Sequence, residues 1–288
     1  MAKRPATEVK RLLDRFGLRA KKSLGQHFLI DKRVLHRIVS AAELTPEDTV
    51  IEVGPGLGIL TKELARRARR VIAVEADPNL ASALREVVAN IDIVSADILK
   101  TDPVLLLASV GVEEASPSYK VVANIPYYIT SPILRHFLEA SLKPSLIVVM
   151  VQKEVGEAIV AQPGRMSLLA VSVQFYGQPV IVDRVPARSF YPSPKVDSVI
   201  LRIKLYEQPP VSVPQTNKFF DVVRAGFSAP RKQLRNALAQ GWGISPQEAG
   251  HLLERAMINP QRRAQTLHLE EWARICEEIS RHEAPAQG

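Results

Sequence analysis

Strand-like and helix-like segments alternate along the first half of the chain, and this pattern constrains the fold more than any other feature. Short apolar runs predict strands at 49–53, 71–75, 91–96, 121–123 and 146–151. Amphipathic runs predict helices at 31–42, 57–69, 78–89 and 132–140, with Asp31 capping the first. Strict alternation of this kind predicts an α/β fold, a Rossmann-like parallel sheet with helices on both faces.

The rest of the chain predicts an edge for this sheet and a separate helical domain. Residues 168–175 and 198–206 are predicted strands that flank a proline-rich loop and close the sheet with an antiparallel edge. After a proline-rich linker, the segments 218–240, 246–257 and 269–281 are helical in pattern. We therefore predict a basic N-terminal arm at 1–30, an α/β domain at 31–211 and a small C-terminal α-helical domain at 212–288.

Composition narrows the class of protein. With 288 residues, 46% of them hydrophobic, the chain can bury an ordinary core. Its longest apolar run, 146–151, is too short for a membrane span, and no apolar segment of a secretion signal follows the basic N-terminus, so we expect a cytoplasmic protein without membrane contact. The single cysteine, Cys276, excludes a disulfide framework or a cysteine-rich metal site; we expect a core thiol and no metal.

The positive charge is concentrated at the N-terminus. Residues 1–40 contain eleven Lys or Arg and three Asp or Glu, so they account for the whole net charge of +8. A basic arm on an otherwise neutral chain indicates a phosphate-binding element. The alternative is a solvated, partly disordered tail.

A glycine loop follows the first predicted strand. It reads Gly-Pro-Gly-Leu-Gly at 54–58, and its third glycine comes two residues after the second, whereas the dinucleotide fingerprint requires three. The loop therefore disfavours a nicotinamide or flavin cofactor. The P-loop pattern is absent from the sequence, which argues against phosphoryl transfer.

Acidic residues end the next two predicted strands. Glu75 is placed to accept both hydroxyls of a ribose, and Asp97 to accept from an adenine amino group, although either acid could be only a helix cap or turn residue. The glycine loop has no Lys or Arg for a pyrophosphate, so the ligand is predicted to be an adenosine with a cationic sulfonium. We predict S-adenosylmethionine, with Glu52 adding negative charge near its methionine end.

The segment Asn-Ile-Pro-Tyr at 124–127 ends a later strand. Asn124 and a backbone carbonyl of the Ile125-Pro126 turn could accept the two N–H bonds of an exocyclic amine, and Tyr127 could stack on its base. Pro126 would hold that turn rigid. A target base would have to be single-stranded or flipped out of a helix. The alternative is an ordinary strand end followed by a turn.

Several segments together carry a resemblance to a known family. They are KKSLGQHFLID at 21–31, VIEVGPGLGILT at 50–61, VEAD at 74–77, ADIL at 96–99, NIPY at 124–127, VQKEV at 151–155, FYPSPKVDS at 190–198 and GFSAPRKQLRNAL at 226–238. On these motifs the chain resembles the small-subunit ribosomal RNA adenine dimethyltransferases, relatives of the erythromycin-resistance rRNA methyltransferases. The resemblance covers nearly the whole chain.

The resemblance implies roles for named residues. It implies that His27 and Leu29 close over the cofactor, that the glycine loop and both acids bind it, and that Asn124 contacts cofactor and target. It also implies that Tyr127 and Phe190 face the target adenine. The residues expected to bind the cofactor are His27, Leu29, Gly54, Gly56, Glu75, Asp97 and Asn124. The residues expected to bind RNA are Tyr127, Phe190, Lys21, Lys22, Arg231, Lys232 and Arg235. The expected catalytic residues are Asn124, Pro126 and Tyr127. For His27 the residues alone suggest only an exposed polar side chain.

The same motifs favour the ribosome-assembly branch of the family. VQKEV and the basic helix that contains Arg231 look like that branch, whereas 166–170 read MSLLA where the branch has an aromatic-Gly-Arg-Leu-Ser run. The implied activity is dimethylation of two adjacent adenines in small-subunit rRNA by a monomer acting on the immature small subunit. The rival hypothesis is an RNA- or DNA-binding assembly or transcription factor whose methylation is vestigial or dispensable.

Overall fold

The computed structural model describes residues 5–21, 25–112 and 117–283. The chain divides into two compact units, one formed by 1–156 and 178–205 and the other by 157–177 and 206–288. The segment 157–177 therefore belongs to the second unit, although the sequence had placed it within the α/β domain.

Seven strands form the main sheet of the first unit, in the order β4-β3-β2-β5-β6-β9-β7, and two short strands pair separately. The strands are β1 Phe28–Leu29, β2 Thr49–Val53, β3 Arg70–Glu75, β4 Asp92–Ser95, β5 Tyr119–Asn124, β6 Leu146–Gln152, β7 Gly177–Val185, β8 Phe190–Tyr191 and β9 Ser198–Leu205. The pairs from β4 to β6 are parallel and β9 is antiparallel to β6. The predicted α/β class is confirmed, and of the two predicted edge strands, 198–206 is confirmed as the antiparallel strand β9.

Helices of the first unit cover both faces of this sheet. In chain order, the helices of the described residues are α1 Pro5–Arg15, α2 Lys32–Ala41, α3 Ile59–Ala65, α4 Pro78–Val87, α5 Pro103–Ser109, α6 Thr130–Glu139, α7 Lys153–Ile159, α8 Leu168–Tyr176, α9 Thr216–Gly226, α10 Leu234–Trp242, α11 Pro246–Arg255 and α12 Leu269–Glu283. Of these, α8 to α12 belong to the second unit. On β5, Val122 packs in one core with residues of α2 and α3, while Tyr119 faces the opposite side and contacts Phe137 of α6. Because side chains alternate along β5, the strand contributes residues to the apolar cores on both faces of the sheet.

Two sequence predictions are wrong in the second unit. Residues 168–175, predicted as a strand, belong to α8, whose N-cap Ser167 accepts the Ala170 N–H. The predicted helix 218–240 is two helices, because α9 ends at Gly226 and α10 begins only at Leu234. Pro230 lies in the break, where its missing N–H and ring make helix continuation costly.

The predicted basic arm contains a docked helix. Val9 and Leu13 of α1 are buried against Phe28, Leu57 and Leu80, so this part of the arm packs on the first unit. In the second unit, α9 to α12 and α8 share one apolar core, and Cys276 is buried in it as predicted. Within the described ranges, no helix has the length and apolar character needed to cross a membrane.

Candidate active site

The carboxyl ends of four neighbouring strands enclose a cavity of about 500 Å³ in the first unit. The order β4-β3-β2-β5 brings the predicted residues to one edge, although they lie far apart in the chain. The predicted residues that line the cavity are Lys21, His27, Leu29, Gly54, Gly56, Glu75, Asp97, Asn124, Pro126 and Tyr127. The volume is in the range of small-molecule and cofactor sites.

The glycine loop forms the floor of this cavity. Gly54 donates its N–H to the Val74 carbonyl (2.9 Å), and Gly56 donates to Glu75 Oε2 (3.2 Å). A side chain built on Gly54 would meet no atom within 4 Å, so the backbone there faces open space. Backbone N–H groups and bare glycine surface can therefore approach a ligand closely.

Gly58→Ala is expected to destabilise the protein by about 2–4 kcal/mol, the sum of left-handed backbone strain and overpacking. Gly58 has φ +77°, and an added Cβ would lie 2.6 Å from Leu84 Cδ1 and 2.8 Å from Val88 Cγ2. Gly111→Ala is the matched control, because Gly111 has φ +78° and nothing within 4 Å of an added Cβ. Urea unfolding of both variants measures the difference. Equal losses would contradict the packing argument.

Glu75 connects the glycine loop to the start of α4. Its Oε1 accepts a hydrogen bond from the Asp77 N–H (3.0 Å), and its Oε2 accepts one from the Gly56 N–H. The side chain is buried. Burial raises the pKa of Glu75, and the two backbone hydrogen bonds oppose that shift. Each carboxylate oxygen has further lone pairs, so the group can still accept from ligand hydroxyls.

Asp77 is a cavity residue that the sequence did not single out. Its Oδ1 caps α4 by accepting the Asn79 N–H (3.0 Å), and its Oδ2 pairs with Lys21 Nζ at 2.6 Å. The Lys21 hydrogen bond is the main cause of the lowered pKa of Asp77. Lys21, predicted to bind RNA, thus already has a carboxylate partner. Lys22, predicted with it, lies outside the described residues.

Asp97 is a helix cap that also lines the cavity. Its side chain caps a short 3-10 helix at Ile98–Lys100 by accepting the Leu99 N–H (3.1 Å), and the residue also lines the cavity. The capping hydrogen bond fixes the Asp97 carboxylate just after the carboxyl end of β4. A capping aspartate can still accept a ligand amino group through its remaining lone pairs.

Glu52 is a buried carboxyl group in the wall of the cavity. It is 1% exposed, and its Oε2 has no hydrogen-bond partner. Burial raises the pKa of Glu52 to about 8; the Glu75 carboxylate adds to the shift, and the nearby Thr61 hydroxyl opposes it. A cationic ligand would lower this pKa again, because it favours the ionised form.

Glu52 is expected to make the protein without cofactor less stable as the pH rises. The pKa of Glu52 is about 8 in the folded protein, against an ordinary value of 4.5, so its stabilising contribution is complete below about pH 4.5 and is lost as the pH rises to 8. Between pH 6 and 9, Glu52→Gln should gain about 2 kcal/mol relative to the wild type. Chemical unfolding at both pH values measures this gain.

Glu63→Gln is the matched control for Glu52→Gln. The Arg67 hydrogen bond lowers the pKa of Glu63, so its titration lies below pH 4.5 and its contribution is constant between pH 6 and 9. If the free energy of unfolding changes equally with pH in the wild type and in Glu52→Gln between pH 6 and 9, Glu52 is not the titrating group.

The Asn-Ile-Pro-Tyr segment leaves β5 at the cavity. Asn124 Nδ2 donates to the His27 carbonyl oxygen at 3.0 Å. Because a carbonyl oxygen can only accept, the amide nitrogen must face His27, which leaves Asn124 Oδ1 free to accept elsewhere. The Pro126 carbonyl accepts the Ile129 N–H (3.2 Å) and closes a 3-10 turn at Tyr127–Ile129.

Tyr127 is held from two sides. Its hydroxyl is hydrogen-bonded to that of the fully buried Ser198 (2.6 Å), and its ring stacks on His27 with centroids 5.8 Å apart and planes inclined by 25°. Burial raises the pKa of the Tyr127 phenol, which therefore stays protonated. Ser198 ends the motif FYPSPKVDS, but its contact with Tyr127 follows only from the folded structure.

The segment that carries His27 and Leu29 is tied to the chain around Phe190. Strands β1 and β8 pair antiparallel, with Leu29 opposite Phe190, and His27 Nδ1 donates to the Pro192 carbonyl oxygen (2.6 Å). This pairing buries the Phe190 ring, 3% exposed, in the core beside α2. The structure therefore does not bring Phe190 to the cavity, contrary to the prediction that it faces the target base.

The three basic residues predicted for RNA contact belong to the second unit. Arg231 and Lys232 lie in the break before α10 and Arg235 lies in its first turn, so only Arg235 is helical, and the predicted basic helix is wrong in this respect. All three are exposed. Across the described ranges, no group of three or more His, Cys, Asp or Glu is placed to hold a metal ion.

Comparison with known proteins identifies the family of this chain. A model of the family described as ribosomal RNA adenine dimethylase matches residues 17–281. The chain belongs to this family. A ribosomal RNA small subunit methyltransferase A of Dehalococcoides mccartyi is 52% identical over 272 residues, with 93% of this chain and 91% of the relative covered. One from Moorella thermoacetica is 46% identical, with 90% and 92% covered.

Solved structures show the same fold. The 23S rRNA methyltransferase ErmE superposes with a TM-score of 0.68 at 31% identity, covering 88% of this chain and 99% of its own. A dimethyladenosine transferase from Plasmodium falciparum has a TM-score of 0.73 at 24% identity, covering 88% and 98%, and supports the fold alone. The resemblance is confirmed: the chain is an S-adenosylmethionine-dependent rRNA adenine methyltransferase of the dimethylase family. This decides against a binding protein without enzymatic activity.

Proposed function

We propose that this enzyme transfers two methyl groups to the exocyclic nitrogen of each of two adjacent adenines in small-subunit rRNA. The relatives named as small-subunit methyltransferases support the choice of RNA. One observation carries the chemistry: β5 is hydrogen-bonded beside β2, so the Asn124 turn and the glycine loop open into one cavity. Donor and acceptor can then meet in a single site.

The cavity residues fit the sulfonium donor. Glu75 is placed for the ribose hydroxyls, Asp97 for the adenine amino group and Gly54 for close backbone approach, while Gly56 holds the Glu75 carboxylate through its N–H. The buried carboxyl of Glu52 suits a ligand of positive charge, and the loop 54–58 contains no Lys or Arg that would repel it. When bound, S-adenosylmethionine supplies an activated methyl group.

Asn124 and the turn after it polarise the acceptor nitrogen. The adenine amine is a poor nucleophile because its lone pair is delocalised into the ring. Asn124 Oδ1 accepts one N–H bond, and a backbone carbonyl of the Ile125-Pro126 turn accepts the other. Two acceptors at fixed positions favour a tetrahedral nitrogen, which frees the lone pair for in-line attack.

Each transfer releases one proton from the nitrogen, and no strong base is required. Among the residues of the 124–127 turn none is a His or Lys, so positioning carries most of the rate. After the first methylation one N–H remains for an acceptor, and loss of the proton restores a neutral amine for the second. Tyr127 supplies the plane on which the base stacks, held by Ser198.

The second unit and the N-terminal arm are proposed to position the RNA. Arg231, Lys232 and Arg235 are exposed cations that can meet phosphates without reading sequence. The enzyme is further proposed to act as a monomer in the cytoplasm on the immature small subunit.

The test uses small subunits from cells that lack the enzyme. The protein is incubated with them and with labelled S-adenosylmethionine, and modified adenines are mapped by mass spectrometry. We expect two neighbouring N6,N6-dimethyladenines in small-subunit rRNA and none in large subunits. Label on large-subunit rRNA alone, or on a single isolated adenine, would overturn the proposed substrate.

A further inference from the structure

An exposed aromatic side chain stands at the mouth of the cavity and is not used by the chemistry above. Eight large apolar or aromatic side chains are exposed among the described residues, and Tyr128 is the one of them that also lines the cavity. It is 61% exposed, in contrast to its neighbour Tyr127. A ring exposed at the mouth of a binding site is accessible to a base that stacks on it.

The local backbone separates the directions of the two tyrosines. Both lie in the 3-10 turn Tyr127–Ile129, and since such a helix has three residues per turn, successive side chains point about 120° apart. The Tyr127 hydroxyl is anchored to Ser198, inside the protein. Tyr128 is therefore directed away from that anchor and toward the solvent at the same mouth.

The opposite flank of the Tyr128 ring rests on a glycine. A side chain built on Gly25 would lie 3.5 Å from Tyr128 Cδ1 and 3.8 Å from Cε1, so the ring is close to bare backbone there. The turn is also fixed at its start by Pro126 and closed by the Ile129 N–H. The ring thus has a supported side and an open side.

We propose that Tyr128 is a stacking subsite for the nucleotide next to the target adenine. This inference rests on the proposed function. A base can enter the cavity only after leaving its stack, which also deprives the adjacent base of a neighbour. An open aromatic face close to the entrance restores that lost stacking, and any base can use it because each has a π-face.

The subsite matters most where two adjacent adenines are modified in turn. While one adenine occupies the cavity against Tyr127, its neighbour stacks on Tyr128, and the two then exchange positions. Tyr128 is a positioning residue in this scheme, since it touches neither the reacting nitrogen nor the methyl donor. Its loss should affect the use of RNA and not the binding of cofactor.

The test compares Tyr128→Ala, Tyr128→Phe and Tyr128→Trp on small subunits from cells that lack the enzyme. For Tyr128→Ala we expect the KM for subunits to rise about tenfold, the scale of one base-stacking contact, while Phe and Trp stay within about threefold of the wild type. The Kd for S-adenosylmethionine, measured by calorimetry, should be the same in all four proteins. Mass spectrometry should show one adenine of the pair lagging in the Ala variant.

Tyr206→Ala is the matched control, because Tyr206 is an exposed tyrosine (40%) of the second unit that does not line the cavity. It should behave as the wild type. An unchanged KM in Tyr128→Ala, a parallel loss of cofactor affinity, or an equal defect in Tyr128→Phe would overturn the inference. If the wild type itself leaves these adenines unmodified, the proposed function fails instead.

Discussion

Asn124→Ala is expected to lower the rate of methyl transfer by at least about 100-fold, the scale on which removal of one preorganised polar contact acts. The variant loses the Oδ1 acceptor that draws the adenine nitrogen toward tetrahedral geometry. It should still fold, because Asn124 is only partly buried at the end of β5 and its backbone pairing with Met150 is kept. Single-turnover transfer to small subunits measures the rate.

The hydrogen bond from Asn124 to the His27 carbonyl requires a separate measurement. Its loss could loosen the segment over the cavity, so the Kd for S-adenosylmethionine is determined for the same variant, and the rate is compared at saturating cofactor. Asn217→Ala, at an exposed position of α9, is the control for the substitution itself. Near-wild-type turnover of Asn124→Ala with saturated cofactor would remove Asn124 from the mechanism.

Glu75→Ala is expected to weaken cofactor binding by about 100-fold or more, because hydrogen bonds to a charged group contribute roughly 1.5–3 kcal/mol each. The variant loses the predicted ribose contact and releases the N–H groups of Gly56 and Asp77 that now point to the carboxylate. The glycine loop then has no fixed connection to the start of α4. Calorimetric titration with S-adenosylmethionine measures the effect.

Glu75→Gln separates the ligand contact from the support of the loop. An amide has one acceptor oxygen, so it can keep one of the two backbone bonds and should lose less affinity than alanine does. Both variants are first checked for cooperative unfolding, since unpaired buried N–H groups cost about 1–3 kcal/mol each. A cofactor Kd that stays at the wild-type value in Glu75→Ala would exclude Glu75 from the binding site.

The α/β core could be predicted because its signals are local. β2 is buried at every position and carries Val50, Ile51 and Val53, as expected for a central parallel strand, and Asp31 caps α2 by accepting the Arg33 N–H. The wrong strand at 168–175 has a physical cause. Its apolar residues Val171, Val173 and Phe175 alternate as in a strand, but the helix is surrounded by apolar neighbours and buries several sides at once.

The strand-end residues of the site followed from the same alternation, since parallel strands deliver their carboxyl ends to one edge. The contacts that hold the site together did not. The His27 carbonyl reaches Asn124, Ser198 reaches Tyr127, and Lys21 reaches Asp77. Each joins positions distant in the chain, and no periodicity or spacing in the sequence encodes such meetings. The burial of Phe190 has the same origin in the pairing of β8 with β1.

The direct pairing of β2 with β5 has a consequence for how this enzyme can change over time. The glycine loop and Asn124 lie at the carboxyl ends of these two paired strands, while residues 59–118 run between them along the chain. Much of this intervening segment, α5 above all, can change in length or sequence without altering the distance between the glycine loop and Asn124. Sequence drift there is compatible with an unchanged reaction geometry, whereas a slip of one residue in the register of β5 would turn Asn124 to the opposite face of the sheet.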